Sequence, residues 1–211
     1  MKLVCTGDWH VFNFKEFSKN LLVQWDNEKQ RFLEIESNNT EHDVSDIKEM
    51  NSRLMNILNG LCDMRDYCVS EDITDILFAG DMFHKRGTID VVVFNSLYRV
   101  LKSFKDNNLQ VHAIAGNHDQ VDNSKIPVSA IHSFSDVIHV IEQPEYFTID
   151  EQEVVAVPYS KDKEFIISSI SDLKHMCKEP KQAILLCHLG ITGGTVGSGM
   201  YSMKDEYSLK E

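Results

Sequence analysis

Several features that mark common classes of protein are missing from this sequence of 211 residues. No apolar run reaches the roughly 18 residues that a membrane span needs. The first ten residues, MKLVCTGDWH, contain an apolar run too short for a secretory signal peptide. These absences predict a soluble, cytoplasmic protein with no membrane partner.

Cysteine pairs, proline and positive charge are also scarce. The five cysteines are odd in number and form no CxxC pair, which favours reduced core residues over a disulfide framework. Only four prolines and 42% hydrophobic residues argue against a disordered chain. The net charge of −12 is the wrong sign for a broad basic surface that grips nucleic acid. A nucleic-acid substrate would therefore need bound cations, local Lys and Arg, or a basic surface supplied from elsewhere.

Short β-branched runs alternate with longer amphipathic stretches along the chain. Strands are predicted at 3–6, 75–79, 111–115, 137–141, 154–157 and 183–187. Helices are predicted at 51–69, at 89–105 with Thr88 as N-cap, and at 162–178, where Pro180 follows. This alternation predicts a layered α/β fold with β-sheets flanked by helices.

Two segments depart from the alternation. Residues 13–50 are rich in Asn, Glu and Asp around a strand-like patch at 31–35, which predicts an acidic surface insertion with a hairpin and a loop; a partner-binding element is the alternative. Residues 189–199 hold five of the ten glycines. Because they follow His188 directly, they are interpreted as an active-site loop, with a simple linker as the alternative.

Polar residues stand at the ends of four predicted strands. The sequences are Gly7-Asp8-Trp9-His10, Gly80-Asp81-Met82-Phe83-His84, Gly116-Asn117-His118-Asp119, and His188 alone. The carboxyl ends of strands in an α/β sheet share one edge, where ligands bind. Any one of these sequences is often only a turn, but all of them in order predict a common cleft.

The chemistry of this set indicates a pair of divalent ions. Two Asp, one Asn and several His offer the mixed oxygen and nitrogen ligands that suit Mn²⁺, Fe²⁺ or Zn²⁺. A site for Mg²⁺ or Ca²⁺ alone would not contain this many imidazoles. Asp8 and His10 are separated by one residue, so on a strand they would point the same way and chelate one ion. Asp81 could bridge two ions about 3.5–4 Å apart, which activate water and clamp a phosphate in phosphoester hydrolysis.

These segments resemble the signature of the calcineurin-like metallophosphoesterase superfamily, which reads DxH, GDxx, GNHD or GNHE, a His, and then GHxH. Within it, GDMFHKRG resembles the GDLFH form of the nuclease subunit of SbcCD-type double-strand-break repair complexes, including phage recombination nucleases. Protein phosphatases of the superfamily have Asp in place of His84 and Glu in place of Asp119.

The resemblance implies a role for each matching residue. Asp8 and His10 would hold one metal ion, Asp81 would bridge both ions, and Asn117 and His188 would hold the second.

The resemblance also assigns residues that are not metal ligands. His118 would protonate the departing oxygen. His84 would line the cleft and orient substrate or His118, with packing at a strand end as the alternative. Arg86 could contact phosphate or be an exposed solubilising charge, and Trp9 is expected to pack under the site.

One part of the signature is missing, since the chain ends at Glu211 before a GHxH sequence is reached. Each metal would lose one imidazole. The DNA-capping domain and the ATPase-docking segment of the family are absent from this chain too. A truncated chain, an interrupted gene product completed by another chain, and a short form with weakened metal binding are the three explanations.

The resemblance implies that residues 1–211 form a metallophosphoesterase domain with the insertion at 13–50. The function that it implies is that of a DNA nuclease. It would use two divalent ions, with Mn²⁺ as the expected metal, and would work as a homodimer with an SbcC-like ABC ATPase, in the host cytoplasm if phage-encoded. A small-molecule or RNA phosphodiesterase and a catalytically weakened scaffold are the alternatives.

Overall fold

The computed structural model describes residues 2–16, 18–35, 48–122, 128–196, 201–202 and 207. No helix within these ranges is both long and apolar enough to cross a bilayer. In chain order the elements are β1 (Val4–Thr6), β2 (Asn20–Asp26), β3 (Arg31–Glu34), β4 (Lys48–Asn51), α1 (Ser52–Ser70), β5 (Asp75–Phe78), α2 (Val91–Asp106), β6 (Gln110–Ile114), a 3₁₀ helix (Ala130–Phe134), β7 (His139–Ile141), β8 (Glu145–Ile149), β9 (Gln152–Val157), α3 (Lys163–Lys174), β10 (Ile184–Cys187), β11 (Thr195–Val196) and β12 (Tyr201–Ser202).

Two sheets lie at the centre of the fold. The first has the order β1-β5-β6-β7 with every pair parallel. The second has the order β10-β9-β8, in which β10 is parallel and β8 antiparallel to β9. Apolar side chains from the facing surfaces form a core between the two sheets: Leu77, Ile114, Ile141, Ile149, Val154, Ala156 and Leu186.

Helices cover the outer surface of each sheet. Leu54 and Leu58 of α1 and Val100 of α2 pack in one buried cluster with Ile76 and Phe78 of the first sheet. On the other side, α3 places Ile166 in a small cluster with two valines of β9. The predicted layered α/β fold, with sheets flanked by helices, is therefore confirmed.

The segment predicted as a surface insertion contributes to the core. A hairpin of β2 and β3 forms around the predicted strand patch, and β4 pairs with the other edge of β2. Trp25 and Phe32 are buried with ring centroids 5.0 Å apart. The side chain of Asn59 in α1 accepts a hydrogen bond from the N–H of Phe32 and donates one to its carbonyl oxygen. The hairpin is confirmed, but its placement at the surface was wrong for these strands. Residues 36–47 lie outside the described residues.

Three details of the predicted elements were wrong. The N-cap of α2 is Asp90, whose carboxylate accepts hydrogen bonds from the N–H groups of Val92 and Val93 at 2.8 and 3.2 Å, so Thr88 is not the cap. Helix α3 ends at Lys174, well before Pro180. Strand β8 was not predicted.

Among the cysteines, only Cys62 and Cys68 are fully buried.

The glycine-rich segment after β10 forms a turn rather than an extended linker where it is described. Ile191 makes a β-bridge with Tyr207, and Gly193 has φ +87°, a conformation that favours glycine. Residues 197–199 of the predicted loop lie outside the described residues, so its role stays a prediction.

Candidate metal centre

Asp8 and His10 lie in a turn that begins after β1 ends at Thr6. Their φ angles are +53° and +45°, in the left-handed region that non-glycine residues rarely occupy. Hydrogen bonds of 2.9 Å from Asp8 N to Gly80 O and 3.0 Å from His10 N to Asp81 O hold the turn against the loop after β5. The two side chains approach each other, as predicted. The prediction placed them on a strand, however, whereas they lie in a turn, and the turn is what brings them together.

Asp81 occupies the middle of the cluster and is almost fully buried. Its own φ is +59°, and it follows Gly80 at +93°. A Cβ atom at Gly116 would lie 2.2 Å from Oδ1 of Asp81, so only glycine leaves room for this carboxylate. Strain of this kind, concentrated at three predicted ligands, is typical of functional sites.

His188 reaches the cluster from the second sheet. It follows β10, whereas the other ligands follow strands of the first sheet, so the expectation of one shared sheet edge was wrong. The Nδ1 nitrogen lies 2.7 Å from the carbonyl oxygen of Ala79. Because a carbonyl only accepts, Nδ1 carries the proton and Nε2 presents a lone pair towards the cluster.

The first group of ligand atoms fits a divalent ion. Oxygen or nitrogen atoms of Asp8, His10 and Asp81 all lie within 4.8 Å of one another. The Nε2 atom of His10 is 3.8 Å from a carboxylate oxygen of each Asp, too far for a hydrogen bond. Separations of this size suit atoms that share one ion through bonds of about 2.0–2.2 Å. The buried Nδ1 of His10 has no hydrogen-bond partner among the described residues.

The second group of ligand atoms is built around His188. Its Nε2 lies 3.1 Å from Oδ1 of Asn117 and 3.5 Å from Oδ2 of Asp81. A neutral imidazole nitrogen, an amide oxygen and a carboxylate oxygen are all acceptors, and a cation held between them would make their close approach favourable. The same Oδ2 atom of Asp81 faces His10, so this carboxylate can serve both groups.

Within the described part of the chain, histidines, and not lysines or arginines, are the ion-pairing partners of Asp8 and Asp81. The Asp8 side chain is 69% exposed, which leaves this end of the cluster open to an incoming substrate. The five residues Asp8, His10, Asp81, Asn117 and His188 thus have the donor types and spacings of a site for two divalent ions.

His118 stands beside the ligands. Its ring is edge-on to that of His10, with centroids 5.0 Å apart. Its Nδ1 lies 2.7 Å from the carbonyl oxygen of His84, which only accepts, so Nδ1 is protonated and Nε2 is directed elsewhere. A histidine fixed in one orientation next to metal ligands can hold or deliver a proton at Nε2.

His84 contributes to this arrangement in two ways. Its carbonyl oxygen orients His118, and its ring lies roughly parallel to that of His118 with centroids 6.0 Å apart. Partial burial of the ring, followed by the nearby His10, His118 and Arg53, lowers the pKa of His84. The side chain is exposed but also contacts the rings of Phe12 and Phe14, so the cleft-lining role and the packing alternative both stay hypotheses.

Two residues position the loops that carry the site. Arg86 donates from Nε to the carbonyl of Asn117 at 2.8 Å, a loop contact that neither earlier hypothesis for Arg86 included. Asp119 is buried and accepts 2.9 Å hydrogen bonds from the N–H groups of Phe83 and Gly116, which joins the loops after β5 and β6. Burial raises the pKa of Asp119. The sequence had marked Asp119 only as the last letter of GNHD.

Trp9 packs beneath the cluster as predicted. It is buried, its ring centroid lies 4.3 Å from that of Phe78, and its indole N–H donates to the Thr6 hydroxyl at 3.0 Å. The side chain between two ligands therefore anchors their turn to the core.

The comparison with known families agrees with this geometry. The family model described as calcineurin-like phosphoesterase matches residues 1–195, which include every residue of the centre. No curated protein sequence matches the chain. Since the match covers most of the chain, this protein belongs to the calcineurin-like phosphoesterase family and is a metal-dependent phosphoesterase.

Proposed function

We propose that this phosphoesterase is a DNA nuclease that hydrolyses phosphodiester bonds during recombination, repair or degradation of DNA. It acts in the cytoplasm, with Mn²⁺ as its metal, as a homodimer beside an SbcC-like ABC ATPase. The observation that carries the hydrolytic part is the position of Asp81 Oδ2, which faces both His10 and His188.

The choice of a phosphodiester in DNA draws on the residues around the metal ligands. GDMFH resembles the form found in nucleases, and His84 stands where phosphatases have Asp. The imidazole ring of His84 lies beside that of His118. Unlike an Asp at the same position, it adds no further carboxylate to the centre. This arrangement suits an extended, negatively charged substrate, because each additional carboxylate would repel the phosphates.

The protein residues divide the reaction between them. Asp8, His10, Asp81, Asn117 and His188 would hold divalent ions, which would activate a water and neutralise the phosphate oxygens. His118 donates a proton from Nε2 to the leaving sugar oxygen as its bond to phosphorus breaks. The carbonyl of His84 keeps the opposite nitrogen protonated and fixes the ring. Water contributes the new oxygen of the product phosphate and releases a proton to solvent, and solvent restores the proton on Nε2 of His118.

The acidity of the chain restricts where DNA can be held. With a net charge of −12, affinity cannot come from a broad basic surface. Bound cations and a few local basic residues must provide it, and the ATPase partner would supply more. The same acidity favours the alternative of a small phosphodiester substrate, which needs no extended surface.

The proposal is tested with purified protein in Mn²⁺, using single- and double-stranded DNA, cyclic nucleotides and bis-p-nitrophenyl phosphate as substrates. DNA cleavage that is lost in the His118→Ala variant is the expected result. Turnover of the small esters with intact DNA would contradict the nuclease and support the small-molecule alternative. Failure to bind Mn²⁺ at saturating concentration would instead support a scaffold.

A further inference from the structure

Two phenylalanine rings adjoin the metal centre and are not used by the chemistry described above. Phe12 and Phe14 are half-buried, and each packs against His84, with ring centroids 5.4 and 4.8 Å apart. The two phenylalanine rings meet edge to face at 5.2 Å. We name Phe12, Phe14 and His84 the aromatic platform. Rings that remain partly in water beside an open polar site offer a contact surface for a planar, apolar group.

The platform is attached firmly to the metal ligands. Val11 lies between His10 and Phe12 and makes a β-bridge with Phe83, the neighbour of His84. The N–H of Val11 donates to the Met82 carbonyl at 2.9 Å. The platform therefore keeps a fixed position relative to the candidate ligand His10, which precedes Phe12 by two residues.

The start of α1 holds the platform from the other side. The buried Asn51 caps this helix and also binds the platform loop, since its side-chain N–H₂ donates to the Phe14 carbonyl and its backbone N–H donates to Asn13 at 3.1 Å. The loop is thus fixed by a buried polar residue whose hydrogen bonds are made within the protein.

A positive charge stands on the platform. The guanidinium of Arg53 lies 4.1 Å from the centroid of the Phe14 ring, and the residue is exposed. Arg53 has no carboxylate partner among the described residues. In a chain of net charge −12, an exposed arginine stacked on an aromatic ring next to a phosphate site matches a ligand that combines a flat ring with a negative charge.

From this geometry we infer that the aromatic platform binds a nucleobase of the substrate strand, one nucleotide from the scissile phosphate, while Arg53 contacts the adjoining phosphate. Base stacking on aromatic rings beside a cation is how single strands are held without sequence preference. A base in a closed duplex cannot present its face, so the platform requires an unpaired nucleotide. This inference rests on the proposed nuclease function and specifies its substrate as locally single-stranded DNA.

The experiment compares intact oligonucleotides with ones that carry a single abasic residue at successive positions around the cleaved bond. In the wild type, kcat/KM is expected to fall about fivefold to a hundredfold when the abasic residue falls on the platform, in line with the contribution of one stacked base. Phe12→Leu and Phe14→Leu keep an apolar side chain but remove the aromatic face. These variants should cut intact and abasic strands at nearly equal rates.

Tyr67→Ala is the matched control, because Tyr67 is an exposed aromatic residue near the far end of α1. It should keep the wild-type preference for intact strands. Metal content and the thermal midpoint of each leucine variant must equal those of the wild type. DNA cleavage with the same intact-to-abasic ratio in wild type and leucine variants would overturn the platform and leave the nuclease function standing. Absence of any DNA cleavage by the wild type would overturn both.

Discussion

The backbone N–H of His118 donates to Oδ1 of Asp81 at 2.9 Å, so the proposed proton donor is joined to the shared carboxylate through its main chain. The imidazole ring takes no part in this bond. It points to the His84 carbonyl instead. Loss of the ring and loss of the carboxylate should therefore have different effects, and the first two predictions separate them.

His118→Ala should retain both metal ions while turnover falls roughly 10²–10⁴-fold, the range expected for loss of a general acid. The backbone bond to Asp81 survives this substitution. Turnover of bis-p-nitrophenyl phosphate and metal content by mass spectrometry are the measurements. His132→Ala is the control, since His132 is a surface histidine paired with Glu142. Equal loss of metal and turnover would show that His118 is a ligand.

Asp81→Asn should abolish the binding of both ions, because one buried carboxylate faces both ligand groups. The amide keeps the size of the side chain but removes its charge. Bound Mn²⁺ per chain is measured after gel filtration, beside Asp106→Asn, which changes a surface carboxylate paired with Lys102. A variant that still holds two ions would contradict a shared role for Asp81.

Gly116→Ala should remove metal binding and destabilise the fold by roughly 1–3 kcal/mol, since the new methyl group would displace the Asp81 carboxylate or the backbone. Gly60→Ala makes a close comparison, because Gly60 lies on α1 and a methyl group there meets open space. That control should raise stability by up to about 1 kcal/mol. Urea unfolding gives both values, and a Gly116→Ala protein with full metal content would refute the steric argument.

Stability should fall in mild acid because of a histidine pair away from the metal centre. Nδ1 of His112 lies 3.0 Å from Nδ1 of His139. The Nε2 atom of His112 lies 2.8 Å from the carboxylate of Asp75, and Nε2 of His139 lies 3.4 Å from that of Glu145. Burial lowers the pKa of His112 below its usual 6.5, although the Asp75 hydrogen bond opposes this. The unfolded chain therefore binds more protons than the folded chain below pH 6.5.

The free energy of unfolding should thus be greatest above pH 6.5 and decrease as pH falls, by at most about 1.4 kcal/mol per pH unit for one proton. Urea unfolding between about pH 5 and 8 in EDTA excludes effects of metal release. His112→Asn should flatten the slope, whereas His132→Ala should leave it unchanged. An unaltered slope in His112→Asn would assign the acid sensitivity to another group.

The apolar pattern was sufficient to predict the layers and most elements of the fold. Strands β5, β6 and β9 are buried on both faces, so their sequences are nearly continuous apolar runs. Strand β8 was missed because Glu145–Ile149 lies at a sheet edge and is mostly half-buried, which leaves it with a mixed sequence. The cap of α2 was missed because Thr88 and Asp90 are both good caps, and only coordinates show which one bonds.

The residues of the candidate site could be found in the sequence, but its geometry could not be predicted from it. The motifs at strand ends gave the candidate ligands, which the structure brings together, but nothing local indicates that β10 belongs to a second sheet. The left-handed turn at Asp8 and His10 also escapes pattern rules, since such conformations depend on the loop after β5 that supports them. Asp119 and Arg86 act through backbone groups, which the sequence does not display.

The origin of His188 in the second sheet affects when the enzyme becomes active during synthesis. Synthesis runs from the N-terminus, so the segments that carry Asp8, His10 and Asp81 leave the ribosome long before β10 does. A nascent chain that ends before residue 188 holds four of the five candidate ligands and lacks the imidazole that the second sheet supplies. The complete set of candidate ligands can therefore assemble only after β10 has been synthesised.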